Sequence, residues 1–169
     1  SDVCSSDLGG NSNLGVFKYI KDEDREKIPE IVVIKQMKVE CNESLALMCI
    51  EYTINSLIKN ERILTVFDID LSNYCLALPY YDGVELNTFV DEPFLRLESI
   101  IDIMRQILDT LIYLNEIGLA HLDLKHENIL VKHCIVNKKS KYEIRVIDYG
   151  MTRSLNNRED ILGTVDMFT

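Results

Sequence analysis

Within residues 121–131, HLDLKHENILV, the chain places an aspartate at 123, a lysine at 125 and an asparagine at 128. A carboxylate can orient a hydroxyl and accept its proton. A lysine close by can neutralise a migrating anionic group, and an amide oxygen can serve a hard cation without adding negative charge. A second carboxylate, Asp148, follows the strand-like EIRVI and opens the turn Asp148-Tyr149-Gly150. Lys35 ends the β-branched run IVVIK, and Glu51 stands sixteen residues beyond it.

HLDLKHENILV resembles the catalytic loop of the eukaryotic-type protein kinases, His-Arg-Asp-Leu-Lys-x-x-Asn, at nearly every position. The resemblance implies that Asp123 orients and deprotonates the substrate hydroxyl and that Lys125 neutralises the transferred γ-phosphoryl of ATP. Asn128 and Asp148 would then hold Mg²⁺. A lysine at 125 is the Ser/Thr rather than the Tyr pattern. Asp148-Tyr149-Gly150 is similar to the family's Asp-Phe-Gly, reached across a hairpin whose polar turn, NKKSK, is somewhat long. His121 matches the structural histidine expected beneath Tyr149. His126 and His133 read as surface residues, and no metal site is expected among the three.

The same resemblance assigns the earlier residues. Lys35 matches the lysine of Val-Ala-Ile-Lys that holds the α- and β-phosphates, with Glu51 as its helix partner; Lys38 competes but lacks the preceding β-branched run. Gly10-Asn11-Ser12-Asn13-Leu14-Gly15 is similar to a phosphate-covering glycine-rich loop with Ser12 in place of its middle glycine, and Phe17 stands where a valine covers adenine. Val33 and Leu130 would close on the two faces of the base. Leu78 would guard the back of the pocket, and the backbone at 79–81, from Pro79 to Tyr81, would supply hinge hydrogen bonds. The missing G-K-[ST] speaks against a Walker P-loop.

Three departures carry weight. Leu122 replaces the usual arginine that pairs with a phosphorylated loop, so phosphorylation at Thr152, Ser154 or Thr164 is not expected to switch activity through that pairing. Asn55 stands one turn after Glu51, where the family is apolar. The chain stops at Thr169, before Ala-Pro-Glu, although Gly163-Thr164 resembles the Gly-Thr ahead of that motif. A fragment without the following helices is expected to expose an apolar face and to be inactive or poorly soluble on its own.

The elements that must position these residues follow from pattern. Strands are expected at 16–20, 31–39, 62–69 and 74–78. A helix capped by Asn42 should carry Leu47, Ile50, Ile54, Leu57 and Ile58 at helical spacing. Pro79, Asp82 and Gly83 mark a linker. Beyond it, Ile100, Ile101, Met104, Ile107, Leu108, Leu111, Ile112 and Leu114 read as one wide stripe on a deeply packed helix, stopped at Gly118. Short strands at 129–131 and 144–147 complete the pattern. The expected fold class is α+β, a two-lobed protein kinase-like fold. Residues 9–79 would form the small β-rich lobe and 80–169 a partial helical lobe. Residues 1–8, SDVCSSDL, read as a non-native, adapter-like tail.

Composition bounds the function. The 169 residues are 47% hydrophobic and 27% charged, ordinary for a globular domain, and no apolar run is long enough to span a bilayer. A net charge of −10 speaks against a broad nucleic-acid footprint but not against nucleotide binding. Five scattered cysteines without C-x-x-C point to reduced thiols in an intracellular, cytoplasmic protein. The expected function is an ATP- and Mg²⁺-dependent protein Ser/Thr kinase acting on protein substrates, with no nucleic-acid partner. The alternatives are a pseudokinase-like nucleotide-binding or scaffolding module and, less in keeping with HLDLKHEN, a small-molecule kinase.

Overall fold

The computed structural model describes residues 4–5, 13–20, 31–37, 42–90, 95–136 and 139–155, with the backbone alone at 4–5, 13–20, 42–44, 90 and 139. The chain divides into two compact units. The first comprises residues 1–58 and 64–81, the second 59–63 and 82–169.

The first unit is built on a five-stranded antiparallel sheet. Its strands are β1 (Cys4–Ser5), β2 (Asn13–Ile20), β3 (Ile31–Met37), β4 (Asp68–Asp70) and β5 (Cys75–Pro79), in the order β1-β2-β3-β5-β4. Two residues of the expected tail, Cys4 and Ser5, thus pair with Lys18 and Phe17 of β2. The helix α1 (Asn42–Leu57) lies on the sheet, where Met48 meets Val66, Leu76 and Leu78 in the core. The buried positions of this segment are Met48, Glu51, Asn55 and Ile58, whereas Leu57 is exposed. The apolar spacing therefore misplaced the buried face, because two polar residues occupy it: Glu51 is drawn in by Lys35, and Asn55 returns its amide to the Glu51 carbonyl at 2.7 Å.

The strand expected at 62–69 is confined to β4. Residues 59–63 group with the second unit instead: Val146 donates its N–H to the Arg62 carbonyl at 2.8 Å, Ile63 bridges Val146 in parallel, and Lys59 N–H reaches the Tyr113 hydroxyl at 2.9 Å. The turn between β4 and β5 is tied by Asp70, whose Oδ1 accepts from the N–H groups of Ser72 and Asn73. Tyr74, expected inside a strand, adopts φ 54° in that turn, so β5 starts one residue later.

In the second unit come β6 (Val84–Glu85), α2 (Leu86–Val90), α3 (Leu97–Glu116), β7 (Leu119–Ala120), β8 (Ile129–Val136), β9 (Lys139–Val146) and β10 (Arg153–Ser154). They pair as β6-β8-β9 and β10-β7. Gly118 ends α3 with φ 77°, a left-handed turn that glycine enters without a Cβ clash, and its N–H caps the Asn115 carbonyl at 2.9 Å.

The expected deep packing of α3 holds for one side only. Ile103, Gln106, Ile107, Thr110 and Leu114 are buried, while Ile101, Met104, Leu108 and Ile112 are exposed. Gln106 sets this rotation. Its amide donates to the Tyr142 carbonyl at 2.8 Å and to Asp102 at 3.0 Å, and its oxygen accepts from Ile144 N–H at 3.4 Å, which fastens α3 to β9.

Candidate active site

The first unit supplies a buried ion pair. β3 runs between β2 and β5, with Lys35 opposite Val16 on one side and Leu76 on the other. Its ammonium reaches both Glu51 carboxylate oxygens at 3.1 Å. Lys35 is 8% exposed and Glu51 1%, so the two charges face each other out of water. Val33 lies opposite Leu78 on β5, half-buried against a core of which Leu78 is a member. Pro79 closes β5 opposite Val32. Tyr80 N–H is engaged by the Ile31 carbonyl at 3.1 Å and so is withdrawn from any hinge role, while Tyr81 is half-buried. Gly15 and Phe17 lie on β2, opposite Gln36 and Ile34, with a register shift between Asn13 and Gly15. Gly10, Ser12, Lys38 and the Gly163-Thr164 pair lie outside the described residues.

The second unit gathers the loop residues. Asn128 ends a short 3-10 turn, His126–Asn128, and its amide donates to both the backbone carbonyl of Asp123, at 2.8 Å, and its Oδ2, at 3.0 Å. Lys125 donates to the same Oδ2 at 3.0 Å, and this hydrogen bond holds its ammonium above the usual lysine range. Asp123 Oδ1 carries no hydrogen bond among the described residues. Ile147 N–H donates to the Asn128 carbonyl at 3.0 Å, which ties the approach to Asp148 to the same loop. Leu130 is half-buried on β8, opposite Glu85 and Arg145.

His121 is the joint of this arrangement. Its Nδ1 accepts from Asp123 N–H at 3.3 Å, which leaves Nε2 to donate to the Ile147 carbonyl at 3.2 Å. That pattern requires the neutral ring, and burial lowers the His121 pKa in the same sense. Its ring lies 4.8 Å from that of Tyr149, which is fully buried and whose phenol burial pushes far up. Leu122 and Asp148, at φ 61° and 64°, both sit in the left-handed region, a cost of about 1 kcal/mol or more each that the surrounding contacts must offset.

Asp148 and Asn128 each offer an oxygen of the kind magnesium takes. No cluster of three or more His, Cys, Asp or Glu side chains that could hold a metal exists among the described residues. One carboxylate and one amide oxygen is the sparse protein contribution that Mg²⁺ takes when phosphates and water complete its shell. With the Asn128 amide protons bound to Asp123, the Asn128 oxygen is the atom left to offer.

Sequence reasoning read Thr152 only as a position that could carry phosphate and missed Arg153. Thr152 is fully buried, and its hydroxyl donates to the His121 carbonyl at 3.4 Å. Arg153 donates from Nη1 to the carbonyls of Gly150 at 3.3 Å and Thr152 at 2.8 Å. The only signal in the sequence was position, since Arg153 is the first cation after Asp148.

The family model for the protein kinase domain matches residues 7–168. This chain belongs to the eukaryotic-type protein kinase domain family. It is 37% identical over 75 residues to probable serine/threonine-protein kinase fhkE of Dictyostelium discoideum, covering 44% of this chain and 10% of that protein. It is 32% identical over 117 residues to probable serine/threonine-protein kinase KCC4 of Saccharomyces cerevisiae, covering 68% and 10%. Calcium-dependent protein kinase 6 of Plasmodium berghei is 29% identical over 143 residues, covering 82% and 9%. The kinase chain thus spans about a tenth of the length of these relatives. Its fold is similar to that of the Rad53 kinase domain and SCD2 crystal structure, with a TM-score of 0.69, 17% identity, and coverage of 90% of this chain and 51% of that one. The α+β, kinase-like fold class follows. No helix among the described residues is long and apolar enough to cross a membrane.

Proposed function

We propose that this kinase domain transfers the γ-phosphoryl of ATP to Ser or Thr hydroxyls of protein substrates. The observation that carries the reading is the bonding of Asp123: two neighbours, Lys125 and Asn128, fix one carboxylate oxygen and leave the other to accept a proton. Asp123 orients the hydroxyl and takes its proton, and Lys125 offsets charge on the transferred group. Lys35, held by Glu51, binds the nucleotide phosphates. Gly10, Ser12, Gly15 and Phe17 cover the nucleotide; Val33, Leu78, Pro79 and Tyr81 bind the base, and Leu130 is a further base-binding residue. Asn128 and Asp148 hold Mg²⁺, which when bound neutralises the phosphate oxygens. The site is of the type lacking the arginine before the catalytic aspartate, and the protein works in the cytoplasm.

The test is transfer of radiolabelled phosphate from ATP to protein by the full-length gene product, with Asp123→Asn as control. Label on Ser and Thr that disappears in the control supports the reading. ATP binding with no transfer in either protein refutes it and makes the chain a nucleotide-binding scaffold.

A further inference from the structure

With Leu122 in place of an arginine, the loop after Asp148 has no guanidinium from the catalytic loop to gather a phosphate beside it, and Leu122 is 36% exposed. The loop is nevertheless fastened from within. Thr152 N–H donates to the Tyr149 carbonyl at 3.0 Å and Leu155 N–H to the Gly118 carbonyl at 2.8 Å, while β10 pairs with β7 through Arg153 opposite Ala120 and Ser154 opposite Leu119. The Thr152 hydroxyl, buried against the His121 carbonyl, is closed to modification in this state.

Arg153 completes the set. Its guanidinium turns back onto the Gly150 and Thr152 carbonyls and so bridges the turn that follows Asp148. Asp148 is held at φ 64°, a left-handed conformation whose cost the contacts of the turn must offset, and its Oδ1 accepts from Gly150 N–H at 3.5 Å. A charged donor on two carbonyls makes stronger bonds than a neutral one and resists their outward rotation.

We infer that Arg153 is a positioning residue that holds Asp148 in its left-handed conformation, in place of a phosphate-dependent contact. The inference rests on the reading of Asp148 as a metal ligand. It predicts that the protein binds Mg²⁺ and nucleotide in full without phosphate on this loop, and that loss of Arg153 weakens metal binding more than it weakens the fold.

The experiment titrates MgCl₂ into phosphatase-treated full-length protein with ADP present, follows binding calorimetrically, and records thermal melting and hydrogen exchange at the Thr152 amide. Arg153→Ala should raise the half-saturating Mg²⁺ concentration about tenfold and speed Thr152 exchange, with the melting temperature within a few degrees of wild type. Arg153→Lys replaces it should the alanine variant not fold, with a shift of about threefold expected. An unchanged Mg²⁺ titration in the arginine variant, while Asp148→Asn loses binding, overturns the inference and leaves the kinase reading standing. Mg²⁺ binding that appears only after loop phosphorylation also overturns it. If Asp148→Asn binds Mg²⁺ as wild type does, the metal role of Asp148 fails and the inference fails with it.

Discussion

The Lys35–Glu51 pair gives the sharpest separation of stability from function. At 3.1 Å and an effective dielectric constant near 20, the Coulomb attraction is about 5 kcal/mol, and burial of both groups shields it from salt. Removing either partner takes from the other its two charge-assisted bonds at a site where water is largely excluded. Lys35→Met or Glu51→Leu should therefore each cost about 3–5 kcal/mol. That is a large part of the roughly 5–15 kcal/mol that holds a domain together, and it lowers the melting temperature by about 10 °C. The double variant Lys35→Met/Glu51→Leu removes both charges and replaces them with apolar side chains, so it should lie within about 1 kcal/mol of the parent. A urea-denaturation double-mutant cycle would then show a coupling above about 3 kcal/mol, little changed in 1 M NaCl. The stable double variant should still have lost phosphoryl transfer. Single variants costing under about 1 kcal/mol would place the pair among solvent-screened surface bridges and refute the reasoning. A double variant as unstable as the sum of the singles would refute it equally.

Three further outcomes follow from buried polar groups. Asn55 Oδ1 has no hydrogen-bond partner among the described residues, so Asn55→Leu should raise stability by about 1–2 kcal/mol; a fall in the denaturation midpoint would show that the oxygen has a partner after all. His121 works as the neutral ring, with its folded pKa lowered below the ordinary 6.5. Its contribution is therefore complete above pH 6.5 and lost as pH falls through the folded pKa. His121→Asn should flatten that acid limb of the stability profile, and an unchanged limb would count against the assignment. Gln106→Ala should cost about 1–3 kcal/mol and speed exchange of the Ile144 amide, because α3 loses its polar anchor on β9; unaltered exchange there would contradict that anchoring role.

The clustering of Asp123, Lys125 and Asn128 was legible because it is local. Asp123, Lys125 and Asn128 lie within six residues, and a 3-10 turn is enough to fold the amide of the last onto the carboxylate of the first. The Lys35–Glu51 pairing was legible for a different reason: pattern announces the strand and the helix after it, and the family resemblance picks the two residues. Hydrophobic spacing alone did not mark the buried face of α1, since it cannot reveal that Glu51 and Asn55 turn inward; only the family resemblance pointed to those two positions. A carboxylate enters a core only when its cation does too, and that cation sits on another element. The same blindness affected α3, where Gln106 rather than an isoleucine fixes the rotation by bonding both strand groups of β9. Residues 62–67 read as a strand on composition, yet Arg62 and Ile63 are bound to β9 one group at a time, a long-range pairing that no local pattern encodes.

These misses share a cause that bears on control. Spacing detects residues whose partners are near in sequence or whose side is decided by water. It does not detect a side chain that bonds to backbone carbonyls, because any backbone offers them. Arg153 is such a case: its partners at 150 and 152 are main-chain oxygens, and its value lies in the left-handed turn they belong to. Leu122 was readable as a departure from the family's arginine, but the bonds that Arg153 makes to the main chain were not readable. The departure and the brace therefore have to be tested together. Leu122→Arg in the Arg153→Ala background should restore Mg²⁺ binding only when the loop carries phosphate, whereas Leu122→Arg alone should leave the Mg²⁺ titration where wild type has it. A Leu122→Arg protein that gains Mg²⁺ affinity on phosphorylation, with Arg153 intact, would mean that the internal brace does not saturate the positioning of Asp148.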